Sequence, residues 1–161
     1  MSKAVSGKAV EEVTEEKMFV TISIGEDKFG IDVTKIQEII GMPEMANVPN
    51  AQKYMKGVAN LRGRVIPLID LRVKFKMPEK EYDKLTVVMI AEIKGVLIGL
   101  IVDSVSDVMN IPISEIQDTP HFASDIETDC ISGMGKVGEE IVIIIDVNKI
   151  FTDDEIEAIK K

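Results

Sequence analysis

His121 and Cys130 are the only imidazole and the only thiol in the chain. Catalysis needs an activated nucleophile, a base of tuned pKa, or a metal. His121 follows Pro120 in an expected loop, where a lone imidazole is ordinarily solvated. Cys130 opens an apolar run with Ile131 and is expected to pack as a small hydrophobe. A Cys–His dyad stays open as an alternative, although its spacing matches no nucleophile signature. One His and one Cys are too few for a zinc site. Asp32, Asp70, Asp103 and Asp146 stand at strand ends or helix starts, where capping accounts for them. Asp125, Glu127 and Asp129 alternate in a loop that lacks the glycine pivot and closing Glu of a calcium loop. Neither a GxGxxG turn nor a Walker loop is present. The expectation is a protein that is not an enzyme and holds no cofactor.

One segment does invite a function: Asn60-Leu61-Arg62-Gly63-Arg64-Val65-Ile66-Pro67. Two arginines flank a glycine just before a strand, in a chain of net charge -9. Either this is a β-turn with solvated charges, or it is an interaction loop whose Arg62 offers a planar, multi-donor head to a carboxylate. Val33, Ile36 and Ile39, and likewise Val102, Val105 and Val108, read as core stripes whose edges could be left open to a partner helix. Nine Met residues would add adaptable surface if some are exposed.

Composition bounds the rest. A chain of 161 residues fits one domain or two small lobes, and buries roughly 70% of its unfolded surface without disulfides or metals. Aromatics are only 4%, so Ile and Val fill the interior, which favours strands. The acidic balance disfavours nucleic acid and anionic lipid. A single cysteine suits a reducing cytoplasm. Met1 to Lys17 is polar, so no secretory leader is expected. The apolar run Val96 to Val102 is far short of the ~20 residues a membrane span needs.

The elements that would position these residues are mostly strands. Residues 1–17 read as a polar, flexible tail, with structure from Met18. Phe19 to Ile24 and Lys28 to Ile31 form an expected hairpin about Gly25-Glu26-Asp27. Asp32 is expected to cap a short helix through Val33, Ile36, Ile39 and Ile40, stopped by Gly41 and Pro43. Pro49 to Lys56 is expected as a second helical turn ending at Gly57. Strands are expected at Arg64 to Asp70, Thr86 to Ile93, Val96 to Val102 and Glu140 to Asp146, with a tight turn at Lys94-Gly95. Thr152-Asp153-Asp154-Glu155 is a capping box opening a C-terminal helix over 152–161.

A weak internal repeat runs through this order. Gly30-Ile31-Asp32-Val33 with Ile36 and Ile39 matches Gly99-Leu100-Ile101-Val102 with Val105 and Val108. Gly57-Val58 and Ile69-Asp70-Leu71 match Gly133-Met134 and Ile145-Asp146-Val147. Either two similar lobes produce it, or Ile/Val-rich strands resemble each other by chance. Two lobes of short strands favour closed or partly closed barrels.

These segments resemble the CheW family of bacterial chemotaxis coupling proteins, from Phe19 to about Phe151. The resemblance rests on Phe29-Gly30-Ile31-Asp32-Val33, Ile36-Gln37-Glu38-Ile39, Tyr54 to Gly63 and Val65 to Arg72. In the second half it rests on Ile101 to Val108 and Ile131-Ser132-Gly133. It implies a mainly β fold of two five-stranded β-barrel lobes sharing a hydrophobic core, with short helices and a C-terminal helix. The domain would span 18–151, with lobes of about 18–85 and 86–151 and strand exchange between them. The implied role is an adaptor in a two-component chemotaxis system. It would couple the cytoplasmic tips of chemoreceptors (methyl-accepting chemotaxis proteins) to the CheW-like regulatory domain of the histidine kinase CheA. It would work in the cytoplasm at receptor arrays and could self-associate in rings. Partner-binding positions carried over by motif are Ile36, Glu38, Gly57, Asn60, Arg62, Val105, Val108 and Gly133. A Glu38–Arg62 salt bridge is expected, and Gly57 and Gly133 are expected to shape turns. Cys130 departs from the family pattern, where an aromatic is expected. With only short tails flanking the lobes, a free-standing coupler is expected. An acid–base hydrolase around His121 and Cys130, and an RNA-binding barrel, are the competing readings.

Overall fold

The structure, a computed structural model, describes residues 15–117 and 130–160. The first fourteen residues of the expected tail, and the expected loop carrying His121, Asp125, Glu127 and Asp129, lie outside the described residues.

Strands dominate. β1 (Glu16–Ile24) and β2 (Asp27–Asp32) form a hairpin, followed by β3 (Ile36–Gly41). β4 (Met55–Leu61) and β5 (Arg64–Asp70) form a second, and β6 (Val87–Ile93) and β7 (Val96–Val102) a third. β8 (Ser104–Pro112), the two-residue β9 (Ile116–Gln117), β10 (Ile131–Val137) and β11 (Glu140–Ile145) complete the set. β1 starts earlier than expected because Glu16 and Lys17 pair with Pro112 and Ile111 of β8.

Two sheets result, ordered β8-β1-β2-β11-β10-β9 and β3-β6-β7-β5-β4. The mainly β fold is therefore as expected, but one sheet has six strands rather than the expected five. The chain beyond β8 turns back through Ile113–Glu115, so that Ile116 and Gln117 pair with Gly135 and Met134 of β10. The boundary expected near 85/86 falls inside the second sheet, between β5 and β6. Each sheet takes a hairpin from one half of the chain and its other strands from the other half. β3 crosses to the β6–β7 hairpin, and β8 crosses to the β1–β2 hairpin.

The repeat sets this geometry. β2 runs parallel to β11 and β7 parallel to β5, the only parallel pairings among the described residues. Register shifts recur at equivalent points, between Met55 and Gly57 and between Ile131 and Gly133. Each sheet also joins its own edges. Ala46, beyond β3, bridges to Val58 of β4, as β9, beyond β8, pairs with β10. That closes each sheet into a barrel and leaves little unpaired edge.

Three apolar clusters follow from the alternation of side chains across each strand. The largest draws Val20, Ile22, Phe29 and Ile31 from the first sheet and Ile69, Met89, Ile98 and Leu100 from the second, so the barrels share it. Phe19, Ile111, Val142 and Ile144 fill one barrel, and Ile66, Leu68, Val88 and Ile90 fill the other.

Two expected helices are not formed. Asp32 does cap a turn, its carboxylate accepting from the Thr34 amide at 2.9 Å, but that turn spans only Val33–Lys35. Ile36, Ile39 and Ile40 then belong to a strand, as do Val105 and Val108. Apolar spacings of three and four fit either periodicity over so short a run. β-branched residues and a waiting partner strand decide for β. The Pro49 to Lys56 segment likewise yields turns and the start of β4, with no helix. The capping box does form: Thr152 Oγ1 accepts the Glu155 amide at 3.1 Å, and Glu155 Oε1 accepts the Thr152 amide at 2.8 Å. It opens the helix Asp153–Lys160, which buries Ile156 and Ile159 against the shared core.

Candidate protein-interaction site

Arg62 and Gly63 are the two turn residues between β4 and β5, with φ of 53° and 84°. Two positive φ values match the twist of the flanking strands. Asn60 holds the turn, its side-chain oxygen accepting the Gly63 amide at 3.0 Å. Arg62 itself is 74% exposed. It forms the expected ion pair with Glu38, Nη1 donating to Oε2 at 3.2 Å while Nη2 meets Oε1. Glu38 lies on β3 and Arg62 follows β4, the opposite edges of the five-stranded sheet, so the pair spans the barrel's seam. The guanidinium's hydrogen bonds, and then its charge, hold the Glu38 carboxyl below its ordinary value.

Gly57 and Gly133 are not turn residues. Both are buried within strands, β4 and β10, beside the chain segment that closes each barrel. A Cβ on Gly57 would lie 2.7 Å from the Ala46 carbonyl oxygen, and one on Gly133 would lie 2.9 Å from that of Gln117. Close backbone approach requires them, which is a separate use of glycine from a left-handed turn.

Ile36 and Val105, equivalent in the repeat, are half-buried against the shared core. Val108 is 56% exposed on β8, and its counterpart Ile39 on β3, which no partner-binding motif marks, is 40% exposed. The predicted residues therefore fall into two groups. Ile36, Glu38, Gly57, Asn60 and Arg62 lie on one barrel, the last four around its seam, and Val105, Val108 and Gly133 lie on the other. Arg62 corresponds to Gly138 in the repeat, so the second seam carries no such guanidinium.

Asp70 and Asp146 cap as expected, accepting from the Arg72 and Asn148 amides at 2.8 and 3.0 Å. Asp103 does not cap. Arg72 Nε and Nη2 donate to its two oxygens at 2.8 and 2.6 Å, and the Gly25 amide donates at 2.9 Å. Burial acts to raise the Asp103 carboxyl, but these donors and the guanidinium charge outweigh it and hold it low. Arg72 escapes sequence reasoning as a site residue because nothing near it in the chain marks its partner, 31 residues away.

Lys74, in the short helix Leu71–Lys74, is buried. Its Nζ lies 3.5 Å from Glu155 and 5.5 and 5.6 Å from the Tyr54 and Phe151 ring centroids. Cys130 is buried in the shared core, 3% exposed. Among the described residues no cluster of three or more His, Cys, Asp or Glu could hold a metal, and no helix is long and apolar enough to cross a membrane. A cavity of about 860 Å³ between residues 48–52, residues 64–67 and the C-terminal helix is lined, among the described residues, by neither carboxylate, imidazole nor thiol.

Comparison with known proteins agrees with this geometry. The model of the CheW-like domain matches residues 18–155. The Chemotaxis protein CheW of Klebsiella aerogenes is 37% identical over 155 residues, covering 96% of this chain and 92% of its own. The Probable chemotaxis protein CheW of Rhizobium etli is 30% identical, covering 89% and 92%. The solved scaffolding protein TtCheW of Thermoanaerobacter tengcongensis superposes with a TM-score of 0.81 at 30% identity, over 88% of this chain and 96% of that one. Paired barrels exchanging strands, with this ancestry, define a chemotaxis scaffolding protein. The chain belongs to the CheW family.

Proposed function

We propose that the protein is an adaptor that couples the cytoplasmic tips of chemoreceptors to the histidine kinase CheA, supporting kinase activation and array assembly. The observation that carries this reading is the division of the motif residues between two barrels. Arg62, Glu38, Asn60 and Gly57 are on one, and Val105, Val108 and Gly133 on the other. A protein that must hold two partners at once needs two surfaces, and a rigid core between them gives the partners a fixed geometry. An exposed guanidinium and exposed Ile39 and Val108 supply the residue types that interfaces favour. The protein acts in the cytoplasm by binding, without turnover, and reaches membrane-associated arrays through its partners. Rings of the protein itself are a further consequence of two such surfaces.

The test is a pull-down with CheA's regulatory domain and a receptor signalling tip, separately and together, followed by CheA autophosphorylation with all three present. Binding to each and raised kinase activity are expected. Absence of binding to both at about 50 µM would sink the reading.

A further inference from the structure

The chain crosses between the two sheets at two equivalent places, and they are built differently. Between β2 and β3 it passes through the Val33–Lys35 turn, where Asp32 accepts from Thr34 of the same turn and faces Lys17 of β1 at 3.6 Å. Those groups belong to the turn and to the sheet already occupied. Between β7 and β8 the chain crosses through one residue, Asp103.

Asp103 is held from both sides. Arg72, which follows β5 of the five-stranded sheet, grips both carboxylate oxygens, while the Gly25 amide of the β1–β2 turn in the other sheet donates to Oδ2. The Asp103 amide donates to the Ser23 carbonyl of β1 at 3.1 Å. Arg72 Nη1 in turn donates to the Pro78 carbonyl at 2.7 Å, which fixes the guanidinium against the loop beyond its helix. The two side chains are only 14% and 15% exposed, so water and salt screen them little. Two parallel N–H···O bonds fix orientation as well as distance, which a single contact does not.

We propose that Arg72–Asp103 is a clamp that sets the angle between the two barrels, so that surfaces carried on different barrels meet their partners in one fixed relation. The second half rests on the adaptor reading above; the clamp itself does not.

Spin labels at Val65→Cys and Ile141→Cys read the angle. Val65 lies on β5 of the five-stranded sheet and is 67% exposed, and Ile141 lies on β11 of the six-stranded sheet and is 58% exposed. Cys130 is buried and stays unlabelled in the folded protein. Pulsed electron–electron resonance on the labelled protein should give a narrow distance distribution. Asp103→Asn, which removes the charge, and Arg72→Lys, which keeps the charge but loses the fork, should each widen it about twofold or more. Both variants should bind each partner alone within about threefold of the parent, while activation of CheA with both partners present falls about tenfold.

An unchanged distribution in a folded Asp103→Asn variant overturns the clamp, and an unchanged distribution in Arg72→Lys does so if Asp103→Asn does not fold. Widened distances with full kinase activation overturn the link from angle to coupling. If the parent protein itself fails to activate CheA, the adaptor reading falls and the distance result still decides the clamp.

Discussion

The main-chain carbonyl of Tyr54 accepts the Asp70 amide at 2.8 Å, and that of Cys130 accepts the Asp146 amide at the same distance. Tyr54 and Cys130 are thus one position seen twice, 76 residues apart (130 − 54). Each is placed before a strand whose partner leads into a capping aspartate. The backbone repeats while the side chains have diverged. Tyr54 packs against Phe151 in a tilted pair, with ring centroids 5.9 Å apart and Lys74 close by, whereas Cys130 fills its place in the core as a small apolar group.

Tyr54 also carries a buried hydroxyl with no hydrogen-bond partner among the described residues. A buried polar group left unpaired costs roughly 1–3 kcal/mol. Tyr54→Phe should therefore stabilise the protein by about 1 kcal/mol in urea unfolding. A loss of stability of that size would show that the hydroxyl is satisfied.

Both tyrosines resist ionisation. Burial, and next the Glu155 charge, push Tyr54 up to about 12; burial and the hydrogen bond to Asp70 raise Tyr82. A raised folded-state value favours the protonated phenol, so its stabilising share is complete below the ordinary 10.0 and fades as pH climbs past it. At pH 10 the native protein should show little phenolate absorbance, while the denatured chain shows about half.

Acid acts in the opposite sense on Asp103. Its carboxyl is held below the ordinary 3.8 because Arg72 and the Gly25 amide outweigh burial. The stabilising share is therefore present above that value and lost as pH falls through the folded-state one. As pH falls below that ordinary value, the stability of the parent should drop more steeply than that of Asp103→Asn. Equal slopes in equilibrium unfolding would show that the ion pair contributes no pH-dependent stability.

Arg62→Glu should separate binding from folding. The pair with Glu38 is exposed, and exposed pairs contribute little stability. The melting temperature should stay within about 3 °C, while binding to at least one partner weakens about tenfold. A collapse in melting temperature would make Arg62 a structural residue instead.

Gly57→Ala and Gly133→Ala should each destabilise by about 1–3 kcal/mol, because the new Cβ meets a backbone carbonyl that closes the barrel. Gly41→Ala, where nothing lies within 4 Å, is the control and should be near neutral. A neutral Gly57→Ala would show that the Ala46 segment can move aside.

The β5, β6, β7 and β11 segments are legible in the sequence almost to their ends, because each is a dense Ile/Val run bounded by turn residues or a capping Asp. β3 and β8 are not. Ile36, Ile39 and Ile40 suit a helix as well as a strand, and what decides is pairing with Val88, Met89 and Ala91 some fifty residues on (89 − 39). A separation of 31 residues along the chain hides Asp103's partner in the same way. Arg62 with Glu38 is legible from opposite charges within recognisable motifs, whereas Ile39 shows its exposure only once β3 has become a sheet edge. The two strand glycines stand out by their position in the repeat, but the reason for them lies in Ala46 and Gln117, which sequence alone does not bring near.

Strand exchange also gives the molecule a direction in time. All strands of the five-stranded barrel lie between Ile36 and Val102, so that barrel has its full set of strands, though not the whole shared core, while the rest of the chain is still being made. The β1–β2 hairpin must wait for β8 on one side and β11 on the other. A nascent chain therefore holds the β1–β2 hairpin in reserve until β11 has emerged, and a chain stopped near residue 103 would leave that hairpin's apolar face without its sheet.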